Sequence, residues 1–107
     1  MNTDRKPTLL EVLKFPGRSG EINIPRTIGT NYLTFGILLL CDEDGTKVDA
    51  VAEKHGALGI LKSWVQGEGQ QPVTWRTLVQ VLKDSNFTAL AEEIEDVKSS
   101  FVYVHVV

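Results

Sequence analysis

The chain has 107 residues, 42% of them apolar, and a formal net charge of −3 from 14 acidic and 11 basic side chains. That length suits one domain with one core, and the mild acidity gives no global attraction to nucleic acid or to an anionic membrane surface. The single cysteine, Cys41, excludes an internal disulfide framework; closing an apolar run, it is expected to be a buried small hydrophobe. The stretch from Met1 to Pro7 lacks the apolar core of a secretory signal, and the longest apolar run, Ile37 to Cys41, is too short to span a bilayer. The expectation is a soluble, cytoplasmic domain without membrane association.

The first element is announced by Thr8 and Glu11, a capping-box pair that predicts a helix from about Leu9 to Lys14. Phe15-Pro16-Gly17-Arg18-Ser19-Gly20 stops it, and Ile22 and Ile24 alternate like a short extended segment. Helical pattern resumes after Pro25. Tyr32, Leu33, Phe35 and Ile37 to Leu40 are apolar on nearly every face, as in a central helix covered by its neighbours. Gly36 in the middle of such a helix is unfavourable by roughly 1 kcal/mol against Ala, so close packing by another helix is its expected reason. Asp42-Glu43-Asp44-Gly45 reads as a turn, and Thr46 as the cap of the next helix. Val48, Val51, Ala52 and His55 then share one helical face.

Leu58, Leu61 and Trp64 mark a further helix within Ala57 to Gln66, and Gly67 to Pro72 an exposed loop. Thr74 caps a helix whose stripe is Trp75, Leu78, Val79 and Leu82, with Arg76, Gln80 and Lys83 outward. Ser85-Asn86 breaks the chain, and Thr88 is the expected cap of the last helix. Its core face is Phe87, Leu90, Ala91, Ile94 and Val97; its wet face is Glu92, Glu93, Glu95 and Asp96. The tail from Phe101 to Val107 is β-branched and aromatic, so an extended conformation is expected. It either pairs with Glu21 to Ile24 or lies against the bundle. The core is expected around Tyr32, Phe35, Leu39, Val51, Leu61, Trp64, Trp75, Leu78, Leu82, Leu90 and Ile94.

Taken together, Gly29 to Leu39, Asp44 to His55, Leu61 to Trp64, Pro72 to Leu82 and Leu90 to Ile94 resemble, in order, the second to the last helices of a death domain. In that family an aromatic in the second helix, here Tyr32, is followed three residues later by a large apolar residue, then a small one and a leucine. The likeness runs from Pro25 to Val97. It implies an all-α, six-helix antiparallel Greek-key bundle over residues 25–98, preceded by a helix and loop in 1–24 and followed by the β-prone tail 99–107. Two departures stand out. The stretch between His55 and Trp64 is shorter than usual, so one of the two helices it joins should lose a turn. A loop from Phe15 to Ile24 also intervenes, so either Leu9–Lys14 or Pro25–Gly29 takes the place of the first helix.

The resemblance implies a non-enzymatic module that binds other death domains, itself included, in cell-death or innate immune signalling. Such domains assemble through asymmetric, often charge-paired contacts, and two different patches on one subunit give head-to-tail growth. The acidic candidates are Asp42, Glu43, Asp44, Asp49 and Glu53; the basic ones are Lys62, Arg76 and Lys83, with Lys14, Arg18 and Arg26 nearer the N-terminus. Each is set against the plain alternative of a solvated helix face. The loop 67–71 and the turn 85–87 are further contact candidates, equally readable as turn chemistry.

No catalytic group, metal ligand, cofactor or small-molecule substrate is expected. The histidines are His55 and His105, and neither has a cysteine or carboxylate partner at metal-ligand spacing; His55 is expected in a core or capping role. The rival reading is a helix-turn-helix-like DNA-binding unit over Trp64 to Leu82. Its turn is longer than the tight connection of that motif, and the neighbouring last helix is acidic.

Overall fold

The computed structural model describes the backbone of residues 4–106 and the side chains of residues 4–98. Local capping chemistry starts the first element, α1 (Leu9–Leu13). The Thr8 hydroxyl accepts the Glu11 N–H at 3.2 Å, and the Glu11 carboxylate accepts the Thr8 N–H at 3.2 Å. The chain then makes a hairpin the sequence did not announce. Strand β1 (Phe15–Gly17) pairs antiparallel with β2 (Gly20–Ile22), Phe15 opposite Ile22 and Gly17 opposite Gly20. The alternation read at Ile22 and Ile24 is extended only as far as Ile22. Ile24 already belongs to α2 (Ile24–Ile28), capped by Asn23, whose side chain accepts the Arg26 N–H at 2.9 Å. Pro25 sits in the first turn, where its missing N–H is no loss. Both stretches proposed for the first helix are therefore helical, and the domain is mostly helical with one small sheet rather than all-α.

Five further helices follow: α3 (Leu33–Leu40), α4 (Thr46–Ala52), α5 (Ala57–Val65), α6 (Trp75–Asp84) and α7 (Thr88–Val106). Among the described residues this makes seven helices and one two-stranded sheet. Helix α3 packs against α4, α5 and α6, and buries Phe35, Gly36, Leu39 and Leu40. Gly36 has a packing reason. A Cβ built on it would lie 2.6 Å from the Val48 Cγ1 and 3.0 Å from the Ile60 Cδ1. Gly59 is tighter still, because a Cβ there would lie 1.9 Å from the Val51 carbonyl oxygen. The α4–α5 corner thus closes backbone on backbone.

That corner also resolves the shortened connection. Helix α4 stops at Ala52, the Gly56 N–H bonds the Ala52 carbonyl at 2.8 Å, and Gly56 takes φ +57 before α5 begins. The early end moves His55 off the helix face to which the sequence assigned it, and its side chain is exposed rather than part of the core.

The two tryptophans are fully enclosed, as are Phe35, Leu39, Leu61, Leu78, Leu82 and Ile94; Leu90 is 7% exposed, while Tyr32 and Val51 are half-buried at the margin. Phe15, Ile24, Ile28, Val48 and Ile60 complete the interior. The Trp75 ring lies 5.3 Å from that of Phe15, tilted by 54°. Both indole N–H groups are buried without a hydrogen-bond partner among the described residues. Leaving such a donor unmet costs roughly 1–3 kcal/mol, so the indoles stabilise through apolar area and packing.

Helix α6 starts as the sequence indicates, with the Thr74 hydroxyl accepting the Thr77 N–H at 3.2 Å. In α7, Thr88 is the first helical residue rather than the cap, and the Ala91 N–H bonds the Phe87 carbonyl. The larger difference is at the end of the chain. The backbone of α7 runs helical to Val106 where an extended tail was expected. Once a helix is anchored, each added residue gains a hydrogen bond, and α7 carries that ladder on to Val106. The side chains of the tail, His105 among them, lie outside the described residues. No helix among the described residues is long and apolar enough to cross a membrane.

Adding one methyl at either glycine should be costly. Gly59→Ala should destabilise by more than Gly36→Ala, each by about 1–3 kcal/mol or above, because a carbonyl cannot swing aside as a side chain can. Urea melts followed by circular dichroism check both the magnitude and the order.

Candidate interaction surface

The acidic candidates do two different jobs. Glycine is the N-cap of α4: Gly45, at φ +77, has no side chain to offer the first turn. Aspartates reach in from the preceding turn instead. The Asp42 carboxylate accepts the Lys47 and Val48 N–H groups at 2.7 and 3.0 Å. The Asp44 carboxylate accepts the Thr46 N–H at 3.1 Å and the Thr46 hydroxyl at 2.8 Å. Thr46 is accordingly the first helical residue, not the cap. The Thr46 backbone N–H, and after it the Thr46 hydroxyl, hold the Asp44 carboxyl below the usual carboxylate range.

Glu43, Asp49 and Glu53 differ. All three are exposed, and none forms an ion pair with a described residue. Cys41 precedes this turn. It ends α3 in the left-handed conformation, φ 53, and that reversal leaves its side chain exposed, not buried as its apolar neighbours suggested.

Several basic candidates serve the fold. The Lys83 amine meets the Glu95 carboxylate at 3.1 Å and ties α6 to α7. Arg76 meets Asp4 at 3.0 Å. Arg18 meets Asp96 at 3.0 Å while its N–H donates to the Glu93 carboxylate at 3.1 Å, latching the hairpin onto α7. The acidic face of α7 is therefore partly a docking surface for its own chain. Lys62, Lys14 and Arg26 are exposed.

The loop after α5 is tethered. The Lys47 amine donates to the Glu68 carbonyl at 2.8 Å, the Ser63 hydroxyl to the Glu68 carboxylate at 3.1 Å, and the Gln71 amide to the Leu38 carbonyl at 3.3 Å. Between this loop and α6 opens a groove of 370 Å³ whose lining includes Leu38, Pro72 and Val81, with Arg76 and Asp84 also contributing.

One constellation escaped the sequence reading. The Lys98 amine lies 4.4 Å from the Trp75 ring centre, 5.7 Å from that of Phe15 and 3.9 Å from the Glu11 carboxylate, which also pairs with Arg5. Burial lowers the Lys98 amine below its ordinary value; the Arg5 cation adds to this and Glu11 opposes it. The group joins α1, the hairpin, α6 and α7, and its seating over two aromatic faces fits a cation–π contact. No cluster of three or more histidine, cysteine, aspartate or glutamate side chains suited to a metal occurs among the described residues. No family model, curated protein or solved structure matches the chain.

The split between capping and solvated carboxylates is measurable. Asp42→Ala should cost about 1 kcal/mol through the lost cap, whereas Asp49→Ala should stay within about 0.5 kcal/mol of the parent. Asp44 should titrate below the ordinary aspartate range in a carboxyl-detected NMR titration. With its folded value depressed, its contribution to stability is present above the ordinary carboxylate range and is lost as pH falls through the folded value.

Proposed function

We propose that this domain is a non-catalytic interaction module that associates with other domains of its own kind, as the resemblance to death domains implies. In this reading α2 to α7 are the six helices of an antiparallel Greek-key bundle, and α1 with the hairpin is an N-terminal addition. The setting is a cytoplasmic signalling assembly of the cell-death or innate immune type.

The observation that carries the proposal is the set of exposed residues Glu43, Asp49 and Glu53, whose carboxylates make no capping hydrogen bond and no ion pair within the described part of the chain. Exposed Lys62, Lys14 and Arg26 supply the opposite charge. A single exposed pair is worth only about 0–1 kcal/mol. Association must therefore come from several such contacts made together, and it should weaken as salt screens them.

The DNA-binding alternative would use the outward side chains of α6. There Arg76 faces Asp4 and Lys83 faces Glu95, so the positive charge of that helix is largely balanced by its own chain. A salt-sensitive shift of duplex DNA by the purified domain would favour that alternative instead.

Asp49→Lys combined with Glu53→Lys should abolish concentration-dependent association in light scattering while leaving the helical circular dichroism unchanged. Association that survives both substitutions would remove the acidic face from the interface. Asp44→Lys is unsuitable for this purpose, since it would also strip a cap from α4.

A further inference from the structure

The first described residues and the end of the described side chains meet at one carboxylate. Residues 4–6 lie as a strap across the start of α6: the Trp75 N–H donates to the Arg5 carbonyl at 3.1 Å, and Asp4 pairs with Arg76 at 3.0 Å. From the other direction comes Lys98 of α7, its amine 4.4 Å from the ring centre of that same Trp75. Glu11 of α1 touches both sides, pairing with Arg5 and with Lys98.

The two oxygens of Glu11 are divided between different tasks. Oε1 serves the capping box, accepting the Thr8 N–H and the Thr8 hydroxyl at 3.2 Å each. Oε2 faces the two cations. The Arg5 guanidinium bonds it directly, while the Lys98 amine stands off at 3.9 Å, an ion-pair distance but too long for a hydrogen bond. Burial lowers the Lys98 amine most, the Arg5 cation adds to this, and Glu11 opposes it. The hairpin and α6 present Phe15 and Trp75 to the amine, and their cations Arg18 and Arg76 pair with Asp96 and Asp4. On α7 itself, Glu95 pairs with Lys83.

Of the two competitors, the strap is the looser. It hangs from buried Pro7, and the Asp4 and Arg5 side chains are 57% and 56% exposed, so their ion pairs are weak and screened by salt. Lys98, at 14% exposure, is packed in place.

We infer that Glu11 is a switch set by the N-terminal strap: with the strap seated, Oε2 belongs to Arg5, and with the strap lifted it passes to Lys98, which then ties the end of α7 to α1. The strap and the end of α7 are thereby negatively coupled, because each holds the shared oxygen best when the other releases it. A competing anion that draws Arg5 away, or loss of the residues up to Arg5, is registered at α7. The device does not depend on what the domain associates with.

The test follows the Lys98 amine of the full chain by NMR titration with isotope-labelled lysine, and hydrogen exchange at the amides of Asp96 to Lys98. Arg5→Gln vacates Oε2. The Lys98 amine should then titrate at higher pH than in the wild type, and those amides should exchange more slowly, by up to about fivefold, the limit for one exposed pair. Glu11→Gln keeps a side chain suited to the capping box but removes the charge, so Lys98 should titrate at lower pH and a further Arg5→Gln should no longer slow exchange. Lys98→Met keeps an apolar stem over the rings and should abolish the Arg5 effect in the same way, as a double-mutant cycle requires. Thermal melts by circular dichroism establish that each variant folds. If Arg5→Gln leaves the Lys98 titration unmoved, or leaves exchange unchanged or faster, the strap is packing alone and the inference falls. It falls equally if the slowing persists in the Glu11→Gln or Lys98→Met background.

Discussion

Three helices meet at distances only glycine permits, and the rest of the domain is arranged around that meeting. Gly36 lets α3 press against Val48 of α4 and Ile60 of α5, and Gly59 lets α5 cross α4 against a carbonyl oxygen. With α3 seated this deeply, α4, α5 and α6 cover Phe35, Leu39 and Leu40, and Leu33 at its start is left exposed. Trp64 and Trp75 then close the interior from the two sides of the intervening loop. The short α4, ending at Ala52, follows from the same closure: the chain must turn through Gly56 immediately if Gly59 is to reach Val51.

A consequence is that much of the charge on the surface is already committed. Asp42 and Asp44 supply the donor-facing oxygens that Gly45 cannot. Arg18, Lys83 and Arg76 fasten the hairpin, α7 and the N-terminal residues to the bundle. Each pair is individually weak, but together they fix which faces remain open to a partner. Under the proposed reading, recognition would draw on the remainder: Glu43, Asp49 and Glu53, the exposed lysines and Arg26, with exposed Leu33 and the groove beside α6.

Signals with a short reach were legible in the sequence. Thr8 with Glu11 and Thr74 with Thr77 act across three residues, and the structure shows the hydrogen bonds that spacing predicts. Gly36 in an all-apolar helix pointed to a close neighbour without naming it. What escaped depends on parts of the chain that meet only after folding. The Arg18 N–H reaches Glu93, 75 residues away, and Lys98 finds Phe15 and Trp75 from the opposite end of the chain. His55 was misplaced because the apolar period continued past the point where backbone crowding stops α4. Cys41 was misplaced because a left-handed residue reverses the face its neighbours predict. At the tail, β-propensity is a property of fit to a pleated surface, and the helix begun at Thr88 continues through those residues instead.

Native-state hydrogen exchange measures the seating of α3 most directly. The amides of Ile37 to Leu40 should exchange only through global unfolding, with the same opening free energy as the slowest amides of α5 and α6. Exchange of α3 through a lower-energy local opening, while α5 and α6 stay protected, would show that the helix is laid on the bundle rather than locked into it, and would contradict the account.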